Sequence, residues 1–150
     1  MSFGLSRRLS STADRAKEET CLLDAASAAP CATGSPTSSC TPRTVTASRC
    51  RAATGSAFKP FAGIEREKLE LTDGADGLLV VGEEGLNDTR CAQCGSLLFS
   101  VVRDGEYVHV ALGSLSDPPG MRPTKHIFVG SKAPWFEITD DLPQFEEHAG

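Results

Sequence analysis

The sequence has no apolar run approaching the ~18 residues that a membrane-spanning helix requires, so no bilayer span of that kind is encoded. Arg7 and Arg8 near the start are followed by no apolar core, and Asp14, Glu18 and Glu19 interrupt the stretch. That pattern excludes a secretory signal, and a frayed N-terminus on a cytoplasmic protein is expected. Positive charge is scarce in the body of the chain. Residues 53–150 carry eight Lys/Arg against sixteen Asp/Glu, whereas residues 1–52 carry seven against four. An acidic body repels backbone phosphates, which points away from nucleic acid and towards small molecules or other proteins as partners. The sequence also shows no internal repeat and no long helical period.

What is present changes texture near residue 50. Across 21–49, Ala, Ser, Thr and Pro make up 19 of 29 residues, and the larger apolar side chains are only Leu22, Leu23 and Val45. Such a stretch cannot bury enough apolar surface to offset the entropy of ordering it. Residues 1–49 are therefore expected to be irregular, and 50–148 to form the single domain. That domain reads as mostly β. The run GLLVVGEE (77–84) suits a strand, and SLLFSVVRDGEYVHVAL (96–112) reads as two strands joined at Arg103-Asp104-Gly105-Glu106. KHIFVGS (125–131) is a further strand by its β-branched and aromatic content. SDPPGMRP (116–123) is a loop that cannot continue a ladder. TDDLPQFEEH (139–148) is expected to cover a sheet edge, with Leu142 and Phe145 as anchors and Asp140-Asp141 solvated or capping. Trp135 is expected to be a core or sheet-covering aromatic. Exposed sheet edges make a homodimer an expectation.

Six cysteines are present, and the one close pair is Cys91-x2-Cys94, followed by Gly95. Two thiolates at that spacing sit on one tight turn and can share a tetrahedral zinc, while Gly95 allows the positive φ such a turn needs. A redox pair would normally open a helix in a βαβ pattern, which the chain lacks. Cys21, Cys31, Cys40 and Cys50 lie nine or ten residues apart and form no second pair. Without a secretory signal, disulfides are not the default for them. His109 and His126 read as strand side chains, and His148 as solvated.

The segments CRAATGSAFKPFAG, NDTRCAQCGSLLFSVV and GSLSDPPGMRPTKHIFVGSKAPWFEITDDLPQFEEH resemble the glutathione-dependent formaldehyde-activating enzyme and centromere protein V family. The resemblance runs over about residues 50–148. It implies a zinc-binding β-tent fold and carbon–sulfur lyase chemistry on an adduct of glutathione, or a related small-molecule thiol, with formaldehyde. It further implies a structural zinc held by Cys91 and Cys94 together with an N-terminal C-x-C-G. A catalytic zinc would be held by a C-x-C-x2-C motif whose last cysteine is Cys50. The chain departs from this pattern ahead of Cys50: the C-x-C-G is missing, and Val45 and Ala47 stand at the other two catalytic ligand positions. Read one frame over, the genetic code permits a cysteine-bearing family opening across Asp24 to Thr33 and His-Cys-His-Cys across Thr44 to Ala47. Residues 20–49 are thus readable as a frameshifted copy of the zinc-binding half. Three functions follow for comparison: an active zinc lyase, a protein-interaction module, or a member without catalysis. One thiolate cannot replace three at a catalytic zinc, and that favours the last.

Overall fold

The computed structural model describes residues 40–71, 75–116 and 119–148. Its frame is one seven-stranded sheet, in agreement with a mostly β reading. The strands are β1 (Thr41–Val45), β2 (Lys59–Glu65), β3 (Leu78–Glu83), β4 (Leu86–Cys91), β5 (Leu97–Val102), β6 (Tyr107–Ala111) and β7 (His126–Ile127), with a short helix α1 (Ser48–Thr54) between β1 and β2. Their spatial order is β3-β4-β5-β6-β2-β1-β7. Every pairing is antiparallel except β1 with β7.

The strands form where alternation and turn chemistry agree. β5 and β6 close through residues 103–106, where Arg103, Asp104 and Gly105 have φ of 53°, 54° and 93°. Glycine takes such values without steric cost and aspartate tolerates them, so the Asp-Gly signal in the sequence locates this turn correctly. One face of the sheet packs the main core. Ala62 and Ile64 of β2, Val108 and Val110 of β6, and Phe99 and Val101 of β5 meet there with Cys91, and Leu69 and Leu98 belong to the same cluster. The opposite face carries a smaller cluster of Val45, Phe61 and Ile127, against which Ala47, Cys50, Phe128 and Phe145 pack.

Several expectations change once the chain is folded. Residues 41–45, which composition assigned to an irregular segment, pair in full register with β2 and also hydrogen-bond to β7. Strand pairing supplies there what local apolar content does not. Of the rest of that segment, Cys40 and residues 46–49 are described. Cys40 is disulfide-bonded, against the expectation from the missing secretory signal, and Ser48 and Arg49 open α1. Residues 1–39, with Cys21 and Cys31, lie outside the described residues. KHIFVGS is a strand only at His126–Ile127, because Phe128 has φ 58° and turns the chain into a 3-10 turn over Val129–Ser131. Trp135 is neither core nor sheet cover: it is 72 % exposed. The tail does cover an edge. His126 bridges Gln144, and Phe145 donates its N–H to His126 O of β7 and accepts from the Val129 N–H just beyond that strand.

β3 is an edge strand, and Leu79, Val80 and Val81 on it are about half exposed, with Leu86 beside them. Among the described residues no helix is long and apolar enough to cross a membrane. The two faces and the edge predict different mutational costs. Ile64→Ala, at a fully buried site, is expected to lose about 2–5 kcal/mol of unfolding free energy. Val80→Lys at the exposed edge is expected to stay within about 0.5 kcal/mol. Urea titration of both variants checks the contrast.

Candidate ligand cavity

Sheet register builds the candidate site. Directly opposed residues share a face, and pairings run Thr41 to Gly63, Gly63 to His109, His109 to Ser100, Ser100 to Asp88, and Asp88 to Val81. A second row places Val45 opposite Lys59, and a third Arg43 opposite Phe61. This face lines a cavity of about 660 Å³, closed on one side by α1 and by Phe128 and His148. Space is tight at Gly63 of the first row. A Cβ there would come within 3.0 Å of Thr41 Oγ1 and 3.6 Å of the His109 ring.

The polar groups of the cavity form one chain. Lys59, only 3 % exposed, donates from Nζ to Ser100 Oγ at 2.6 Å, and Ser100 donates in turn to Asp88 Oδ1 at 2.5 Å. Burial pulls the Lys59 ammonium below its ordinary pKa, and the charges of Cys50 and Asp88 oppose that pull. Burial likewise pushes the Cys50 thiol up, with Lys59 acting against it. His109 stacks on Phe61 with ring centroids 4.1 Å apart. Burial first, then the cations Lys59, Arg103 and Arg43, lower its pKa to about 3, so it is neutral at ordinary pH.

The three positions assigned to a catalytic zinc do come together. Val45, Ala47 and Cys50 line the same cavity and pack in the same small cluster, Cys50 from the first turn of α1. Only one of them carries a donor atom, so the residues present do not fit a catalytic zinc. The other pair lies apart from this cavity. Cys91 ends β4, buried, and exposed Cys94 follows in a tight turn with Gly95 at φ 77° and its N–H bonded to Cys91 O at 2.8 Å. Among the described residues no group of three or more His, Cys, Asp or Glu comes together to hold a metal ion. Arg90 ties the two regions, donating to Gly95 O in the turn and to Ala53 O in α1.

Thr54-Gly55-Ser56 is the C-terminus of α1, with Gly55 in the left-handed conformation that ends a helix. His148 is exposed, yet its ring stands edge-on to Phe128 and lines the cavity. His126 is buried in β7, as a strand side chain should be, and Asp140, expected to be solvated or capping, is exposed but engaged. It pairs with His126 Nε2 at 2.9 Å and accepts from the Leu142 N–H, and both hydrogen bonds lower its pKa. Arg43, Lys59, Asp88 and Ser100 were missed as site residues. The signal available was Lys59 alternating with Phe61 in FKPF, and Ser100 inside the apolar run LLFSVV.

A family model described as glutathione-dependent formaldehyde-activating enzyme matches residues 31–131, more than half of the chain. No curated protein matches it.

The neutral His109 predicts a pH dependence of stability. The folded pKa lies near 3 and the reference value is 6.5, so between these pH values the unfolded chain binds the proton and the folded one does not. Stability is therefore expected to fall as pH drops through that window, by up to about 1.4 kcal/mol per pH unit from this residue. Urea midpoints measured from pH 7 to pH 4 should show a shallower slope for His109→Gln than for wild type.

Proposed function

Because the chain belongs to the glutathione-dependent formaldehyde-activating enzyme family, we propose that its cavity binds a small thiol of the glutathione type, without the carbon–sulfur lyase turnover that a catalytic zinc supports. The observation that carries this reading is the wall formed by Val45, Ala47 and Cys50. The positions that the resemblance gives to the catalytic ligands line one cavity, but two of them present hydrocarbon. An incoming thiol would meet the Cys50 sulfur, the Lys59 ammonium and apolar surface from Phe61 and Ile127. No step of the family reaction is assigned to these residues. The cytoplasm suits the proposal, since thiols persist there in reduced form.

Zinc is proposed only for the Cys91–Cys94 turn. On this reading the purified protein holds at most one zinc per chain and shows no glutathione-dependent consumption of formaldehyde. Val45→Cys/Ala47→Cys would complete three thiolates around the cavity. That variant is expected to bind one additional equivalent of zinc, or of cobalt with thiolate-to-metal charge-transfer absorption. Metal analysis and visible spectroscopy read both outcomes. Two zinc ions in the wild type, together with lyase turnover, would overturn the proposal.

A further inference from the structure

Within the cavity the charges do not balance. Arg43, Arg49, Lys59 and Arg103 line it, and the one acidic residue among its lining is Asp88. Asp88 is already engaged: it accepts from Ser100, the neighbour of Lys59, and lies 3.7 Å from Arg90. Arg43 is in a different position. It lies on β1 at the boundary between the 660 Å³ cavity and a second one of about 210 Å³, lining both along with Phe61, Arg103 and His109. Its Nε is buried without a hydrogen-bond partner. The acid that shares the smaller cavity with it, Glu65, is paired with Lys68 instead.

A buried guanidinium N–H left unpaired is costly, and an anion beside the same guanidinium offsets that cost. Guanidinium presents its donors as a planar fork that fits the two oxygens of a carboxylate. Around it stand the aromatic faces of Phe61 and a neutral His109, with Arg103 as a second cation and the one neighbouring acid, Glu65, paired with Lys68. We propose that Arg43 is the anion anchor of this cavity, and that the ligand must carry a carboxylate placed to meet its guanidinium. This deepens the reading of the cavity as a thiol-binding site and rests on it. It adds a requirement that the thiol alone does not satisfy, and names the residue that imposes it.

Calorimetric titration of the full chain with reduced glutathione, S-methylglutathione and glutathione diethyl ester tests the requirement. The diethyl ester is expected to bind the wild type at least about tenfold more weakly than glutathione, the scale of one charge-assisted hydrogen-bonded contact. Arg43→Met should weaken glutathione by a similar factor and abolish the difference between acid and ester, while Arg43→Lys keeps part of it. Equal binding of acid and ester to the wild type overturns the anchor and leaves the thiol reading standing. So does discrimination that survives in Arg43→Met. Should Arg43→Met not fold, as judged by circular dichroism, the ester comparison on wild type and Arg43→Lys decides. If glutathione and S-methylglutathione do not bind at all, the thiol reading falls, and glutarate separates the two ideas. Glutarate binding that depends on Arg43 upholds the anchor, and its absence overturns it. Inorganic phosphate competing as well as glutarate overturns the preference for carboxylate.

Discussion

Lys59 can remain inside this sheet only because Ser100 and Asp88 stand on strands whose register brings their oxygens into line. The ammonium donates to the hydroxyl and the hydroxyl to the carboxylate, so the buried charge is compensated through one intermediate rather than by direct contact. A buried charge without such partners is among the most expensive features a fold can contain. The chain links β2, β5 and β4, with β6 lying between β2 and β5. The polar lining of the cavity thus presupposes the correct pairing of four strands. A slip of one residue would turn Ser100 to the apolar side and leave the ammonium stranded.

The two faces of the sheet divide the work. One is filled by Ile64, Val108, Val110 and Phe99 and serves stability. The other is only partly filled, by Val45, Phe61 and Ile127, and the space left over is the cavity. Strand alternation makes this division sharp: Lys59 and Phe61 face the cavity, while Ala62 and Ile64 face away from it or into the core. Helix α1 then sets Cys50 over the same space as Val45 and Ala47. Of the three positions that the resemblance gives to a catalytic zinc, only Cys50 carries a donor atom.

How much of this was legible depended on whether a feature is local. The Asp104-Gly105 turn, the strands from Leu97 to Ala111 and the Cys91–Cys94 turn follow from neighbours in sequence, and each is found where its residues suggest. Residues 41–45 were not legible because Thr-Pro-Arg-Thr-Val has little apolar content; it becomes a strand by pairing with residues some twenty and eighty positions away. Trp135 misled for the opposite reason. Its size predicts burial, but the chain around it has no packed surface to offer and leaves it in solvent. Asp140 gained a meaning, as partner to His126, only through contact across the tail.

By itself the sequence determined the class of fold, the family, and the fact that Val45 and Ala47 stand where the resemblance would place cysteine ligands. These are matters of residue type, and no folding can add a sulfur atom. The tertiary structure alone decided that Val45, Ala47 and Cys50 meet on one wall, that Lys59 is compensated by Asp88 through Ser100, and that Arg43 Nε is left without an acceptor. Each of those depends on distances between side chains far apart in sequence. Such distances are set by strand register, which hydrogen bonding along the whole sheet fixes and no single stretch of residues encodes.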